Sequence, residues 1–245
     1  MSAPGVGWFR DTLELYARAF RRGAVLALRN WPVALVLLGF RMLLDLVDVL
    51  LSSLAGAGRF AELVGGLLSY LAAVAFMSAW LFLVAEVIRS GRIRPRDWLA
   101  GFGAYFGDLL TVLFLLSLLA YVALTLVSAV PPLGLVLLLA LFTFGNAVPE
   151  LVYLGRHPPA SLLVESYRFI AENWIEWFPA NIMLLGCVVG VTELARAMLP
   201  SVPWLPLAAL VNSLALYFLF IVRGLLFLEL GTSSRRARAF RRAAG

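Results

Sequence analysis

The sequence contains no lysine, one histidine (His157) and one cysteine (Cys187). Charged residues of all kinds make up 14% of its 245 positions, against about a quarter in soluble domains. Each shortage excludes something. Without lysine there is no phosphate-cradling loop ending in Gly-Lys-Ser/Thr. One cysteine cannot close an internal disulfide, and Cys187 lies in an apolar run with no local base, so it reads as a packing residue. A metal site needs several His, Cys or carboxylate ligands at suitable spacing. The segment Gly155-Arg156-His157-Pro158-Pro159 offers none near His157, which reads as a solvated loop residue. No serine sits in a Gly-x-Ser-x-Gly elbow. The first thirty residues lack an apolar h-region followed by a small-residue cleavage site, so no cleavable signal peptide is expected. An ordinary soluble enzyme, a disordered chain and a disulfide scaffold are all poor fits. No cofactor is expected.

What is present is apolar length. Hydrophobic residues reach 62%. A hydrocarbon core about 30 Å thick needs roughly 20 apolar helical residues to cross it. Six stretches qualify: 31–54, 61–87, 109–130, 132–154, 174–199 and 204–230. Helix breakers close each pair. Gly56-Ala57-Gly58-Arg59 follows the first stretch, Pro131-Pro132 the third and Pro200-Ser201-Val202-Pro203 the fifth. The expected fold class is all-α: a polytopic membrane protein with six transmembrane helices.

Arginine placement orients it. Sixteen arginines flank the termini and the even-to-odd connections, while Arg59 and Arg196 alone lie on the opposite side. Basic residues are retained in the cytoplasm, so both termini are expected inside.

The inner segments repeat a design. Residues 8–28 set Phe9, Leu13, Tyr16 and Phe20 on one helical face, with Arg10, Glu14 and Arg18 as an i, i+4 ladder on another. Residues 96–107 space Trp98, Phe102 and Phe106 four apart. Residues 160–173 align Leu163, Tyr167, Ile170 and Trp174, with Glu165, Arg168 and Glu172 elsewhere. Each reads as an interfacial helix leading into an odd-numbered span. Asn30-Trp31 and Asn173-Trp174 mark two junctions, where Asn can cap the next helix and Trp can sit at headgroup level. Gly107-Asp108 stands at the third. Glu86, Glu150 and Glu229 each precede an arginine by six residues at the ends of even spans. The expected plan is three parallel units of interfacial helix plus hairpin (1–95, 96–157 and 158–231), then a basic cytoplasmic tail over 232–245. The interfacial anchors are Trp31, Trp98, Tyr167 and Trp174. In the tail, Arg235, Arg236, Arg238, Arg241 and Arg242 suit anionic lipid at about 1 kcal/mol each near the surface, and nucleic acid is not needed to explain them.

Charges at membrane depth are costly and usually face protein or a wet cavity. Arg41, Asp45 and Asp48 share one face of the first stretch, with Arg41 about 15 Å from Trp31 at the helical rise. They read as a buried ion pair knitting helices or, alternatively, as part of an ion pathway. The first is favoured because one cluster is not a pathway. Asn146 and Glu150 pair at i, i+4 beside Pro149. Asn181, Glu193 and Asn212 punctuate later spans as interhelical hydrogen-bonding groups. Arg223 is near enough to the inner surface to snorkel. Gly65, Gly66, Ala72, Ala73 and Ala75 allow close helix approach.

The stretch 149–181 combines Pro149 near a span's end, then Ser166-Tyr167-Arg168 on an amphipathic segment, then Asn173-Trp174. In this it resembles the group of membrane proteins that includes the DUF4013 and YciC families and the membrane domain of glycerophosphodiester phosphodiesterases. The resemblance covers the central third of the chain; the remainder is similar in topology alone. It implies a six-span protein of the bacterial inner membrane. Some members carry a fused phosphodiesterase domain, but this sequence has no length for one, and His157 cannot supply paired catalytic histidines. The expected function is a non-catalytic scaffold, assembly or accessory subunit that packs against other membrane proteins and anionic lipid. The alternative is a small transporter or channel using the polar residues of spans one and four.

Overall fold

The computed structural model describes residues 4–52, 58–94, 97–155, 157–198 and 205–232. These residues form α1 (Pro4–Arg29), α2 (Pro32–Ser52), α3 (Arg59–Ser90), α4 (Asp97–Ala104), α5 (Phe106–Ala129), α6 (Pro131–Phe144), α7 (Val148–Leu154), α8 (Leu162–Met198) and α9 (Leu205–Gly231), with a 3₁₀ turn at Pro159–Ser161 before α8. No strand occurs among them. Prolines open α2 and α6, where a missing N–H costs nothing. Gly91 ends α3 at φ 74°, a left-handed conformation that glycine adopts without penalty, and its N–H closes onto the Val87 carbonyl.

Five helical segments among the described residues are long and apolar enough to cross a membrane: Arg59–Ser90, Phe106–Ala129, Pro131–Leu154, Pro159–Val191 and Leu207–Gly231. The chain is a multi-pass membrane protein on this basis. The remaining expected stretch, the first at 31–54, does form a helix, α2, of 21 residues. It falls short by composition, because Arg41, Asp45 and Asp48 interrupt its apolar run.

The helices pair as hairpins, α2 with α3, α5 with α6 and α8 with α9. The core gathers around α9, which packs on α1, α2, α3, α7 and α8. Small residues decide how closely. A Cβ on Gly23 would stand 2.6 Å from Val222 Cγ2, so α1 lies directly against α9. The buried stripe of α1 is therefore Thr12, Leu15, Ala19 and Gly23, with Tyr16 and Phe20 at its edge and Leu13 exposed. The amphipathic face is rotated by one residue from the one expected, because small residues rather than aromatic ones meet the neighbour; the Phe9 side chain lies outside the described residues. In the charged ladder Arg10 pairs with Glu14 at 3.1 Å, while Arg18 reaches Glu229 at 3.7 Å. Tyr16 crosses to α8, donating to the Glu176 carbonyl at 2.7 Å. Burial, then the nearby Glu176 charge, pushes its hydroxyl up to about 12.

Two expected junctions are corrected. Asn30 does separate α1 from α2, but its Nδ2 donates backwards to the Leu26 carbonyl (3.0 Å) and across to Gly91 (3.2 Å). Asn173 makes the same backward bond to Phe169 (3.0 Å) and interrupts nothing, so α8 runs unbroken from Leu162 to Met198 and the third amphipathic segment is its first turns. These bonds are donated by the amide nitrogen and turn the side chain back along the preceding helix, whereas a cap would need the amide oxygen turned toward the N–H groups of the following turn. At the third junction the chain bends at Tyr105, and Asp108 lies inside the first turn of α5 with no capping bond there. Cys187, expected to pack, is exposed on α8.

Candidate functional site

The fourth expected span is not one helix. It breaks at Gly145-Asn146-Ala147 between α6 and α7. Pro149 causes the break, since it has no N–H to return to the Gly145 carbonyl; Val148 supplies that bond instead at 3.1 Å. Unwinding leaves the Asn146 carbonyl open in an apolar layer, where an unsatisfied backbone group costs several kcal/mol.

Arg223 of α9 fills that vacancy. Its Nη2 donates to the Asn146 carbonyl at 2.6 Å and to Glu150 Oε2 at 2.9 Å, while its Nε donates to Glu150 Oε1 at 2.7 Å. The pairing with Glu150 is bidentate, the strongest arrangement two such side chains make. Glu150 is 0% exposed. Trp177 of α8 completes the cluster, donating from Nε1 to Asn146 Oδ1 at 2.9 Å. Its ring lies 5.2 Å from the guanidinium carbon, within cation–π range. Three helical elements thus converge on one ion pair. Arg223, expected to snorkel toward the surface, is instead turned inward by the carboxylate.

A second layer of bonds continues from α7. Tyr153, fully buried, donates to the Phe220 carbonyl at 3.1 Å. Its own carbonyl accepts from Arg89 (2.8 Å) and from Tyr105 (3.2 Å). Tyr217 donates to the Asn30 carbonyl at 3.0 Å. Burial is the largest influence on the Tyr105 hydroxyl and pushes it upward. The Tyr153 and Asn30 carbonyls lie at a helix end and at a bend, whereas Phe220 is inside α9; the bonds from Tyr153 and Tyr217 tie α9 to α7 and to the α1–α2 junction.

The charges of α2 lie elsewhere, and their expected burial is corrected. Arg41 does pair with Asp45, Nε to Oδ1 at 3.1 Å, but the two side chains are 73% and 59% exposed. Asp48 accepts from Ser69 of α3 at 2.6 Å. The three line a cleft of about 310 Å³ with Leu44, Tyr70 and Ala73. Asn146 and Glu150 do not line this cleft.

Of the expected anchors, Trp31, Tyr167 and Trp174 are about half exposed, whereas Ile170 is buried. The Trp98 side chain lies outside the described residues, as do Arg235, Arg236, Arg238, Arg241 and Arg242. Asn181 bonds to the Trp177 carbonyl of its own helix at 2.7 Å rather than across to another through that amide. Among the described residues no three His, Cys, Asp or Glu side chains group as metal ligands would.

Sequence reasoning singled out Asn146 and Glu150 but missed their partner and Trp177. Depth was the available signal: Arg223 and Glu150 are opposite charges, each within the C-terminal half of an expected span. Comparison with protein families, with curated proteins and with solved structures finds no match to this chain.

Proposed function

We propose that the chain is a non-catalytic subunit of the bacterial inner membrane that packs against another membrane protein, with six spans, three repeated units and both termini cytoplasmic. The observation that carries this reading is the outer face of α2. Arg41 and Asp45 are exposed on the protomer, and the exposed residues around them are Met42, Leu43, Leu46, Val49 and Leu50. A charge at the centre of a membrane helix costs about 2.5–3.5 kcal/mol against lipid. A protein neighbour over this face removes that cost. The polar residues named for a transporter are divided between two places, the α2 cleft and the Arg223 pair. The second is closed by its own hydrogen bonds, which favours the subunit reading over a conducting path. The equivalent backward bonds of Asn30 and Asn173 favour the repeated units.

A photo-crosslinking residue at position 46 tests the interface, with position 139, an exposed site on α6, as control. In native membranes Leu46 is expected to yield one discrete protein adduct and Leu139 only lipid. Combining Arg41→Leu, Asp45→Asn and Asp48→Asn should abolish that adduct while leaving the yield of purified protein unchanged, because the trio is exposed in the isolated chain. Lipid adducts alone at both positions would refute the interface. For orientation, a reporter active only outside the cytoplasm and fused after Gly245 should stay silent; a strong signal would invert the topology.

A further inference from the structure

The cleft between α2 and α3 carries a charge imbalance. Its charged residues are Arg41, Asp45 and Asp48, one base against two acids. Arg41 is matched by Asp45 at 3.1 Å. Asp48 has no basic partner among the described residues; Ser69, a neutral donor, reaches it at 2.6 Å. Tyr70 lines the same cleft, and its hydroxyl oxygen is buried without a hydrogen-bond partner among the described residues. The surplus is one carboxylate, in a wall that also holds an unused hydroxyl.

The hairpin around it is apolar. Leu46, Val49 and Leu50 of α2 and Leu63 and Leu67 of α3 are exposed. A carboxylate facing lipid is costly, so a neighbour that neutralises it gains on contact. Asp48 lies sixteen residues past Pro32, about 24 Å along the helix, toward the far side of a hydrocarbon core about 30 Å thick. At that depth the basic side chain of an unassembled partner can snorkel to the headgroups and turn to Asp48 on assembly. The cleft, about 310 Å³, is at the lower limit for a small-molecule site but is open to one long side chain, whose stem can lie along Leu44 and Ala73. A second copy of this face would bring a second surplus of the same sign, which disfavours self-association here.

We infer that the neighbour covering α2 is a different membrane protein whose transmembrane segment presents a Lys or Arg to Asp48. This names the partner's chemistry and rests on the interface proposed above.

The photo-crosslinking residue at position 46, in native membranes, provides the test. Asp48→Asn keeps an acceptor for Ser69 and removes the charge, so it should cut the protein adduct on the order of ten-fold. Arg41→Gln, which deepens the surplus, should leave the adduct at least as strong. An acidic partner would give the reverse pattern. Both variants should purify in normal yield, since both residues are exposed in the isolated chain. Sequencing of the attached segment should find a Lys or Arg within about two helical turns of the attachment point. Replacing that residue by Asp together with Asp48→Lys should restore the adduct that either change alone removes. An adduct unchanged in Asp48→Asn, one lost in Arg41→Gln, an attached segment without a basic residue, or an adduct of twice the chain's own mass would overturn the basic contact while leaving α2 an interface. Lipid adducts alone at position 46 of the parent would overturn both.

Discussion

Replacing Arg223 by methionine should cost roughly 3–5 kcal/mol of stability, the ordinary penalty for stranding one partner of a buried ion pair. Three losses coincide in that substitution. The Glu150 carboxylate, with no exposed surface, loses both of its donors from Arg223. The Asn146 carbonyl, opened by the break before α7, loses its 2.6 Å donor. The Trp177 ring loses the cation at its face. The double change Arg223→Met with Glu150→Leu should recover much of the loss, because two well-packed apolar side chains no longer leave a charge uncompensated. Recovery should be incomplete, since the Asn146 carbonyl remains without its donor. The measurement is a double-mutant cycle from unfolding in mixed micelles. Additive single effects would show that the pair is solvated and contributes little. Asn146→Ala is a smaller perturbation. It removes the Trp177 bond and the long 3.4 Å contact from Arg223 Nη2 to Asn146 Oδ1 but leaves the shorter carbonyl–guanidinium bond intact, so a loss of about 1 kcal/mol is expected.

Apolar runs and proline positions were enough to place the helices, because hydropathy and missing N–H groups act locally. The break at Gly145-Asn146-Ala147 was signalled by Pro149, yet Pro149 is equally compatible with a kinked continuous span. Which occurs depends on whether a distant donor exists for the freed carbonyl, and Arg223 is 77 residues away. No local pattern carries that information. The rotation of the α1 face has a counterpart at the start of α8, where Leu162, Ser166, Phe169 and Asn173 are buried one residue before the expected Leu163, Tyr167, Ile170 and Trp174. On α1 and on the first turns of α8, aromatic residues gave the stronger periodic signal. Thr12, Ala19 and Gly23 are nevertheless the positions that meet the core, as are Ser166 and Asn173. Helices in an apolar bundle approach most closely where side chains are small, so hydrophobicity alone points slightly to one side of the true contact. The α2 charges failed in the opposite sense. Their pairing was legible from the i, i+4 spacing of Arg41 and Asp45. Their burial was not, because it depends on what lies beside α2, and the side chains of Arg41 and Asp45 are 73% and 59% exposed.

The second large effect is expected at Gly134, in the first turn of α6. A Cβ there would lie 2.3 Å from the Val127 backbone nitrogen and 2.6 Å from its Cα. Those atoms belong to the backbone of α5 and cannot turn aside as a side chain can. Gly134 is buried in a helix whose other outward residues, Leu133, Leu135, Val136 and Leu139, are exposed. The α5–α6 hairpin depends on this contact more than the others do, since α6 otherwise meets only α8 to an appreciable extent. The tight Val130-Pro131 connection holds the two helices together at the same end. Gly134→Ala should therefore spread the hairpin at its closed end and lower stability by about 1–3 kcal/mol, the usual range for overpacking, and Gly134→Leu by more. Intrinsic helix propensity works in the other direction, favouring Ala over Gly by about 1 kcal/mol, so a net loss isolates the steric effect. The Arg223 pair should survive, because the unwound Gly145-Asn146-Ala147 segment separates α6 from α7 and absorbs the displacement. Leu135→Ala, the exposed neighbour, is the control and should change stability by no more than about 0.5 kcal/mol. Thermal unfolding of the three variants in one detergent decides it. If Gly134→Ala proves as stable as Leu135→Ala, or more so, the close passage of α6 across Val127 is not what holds the hairpin shut.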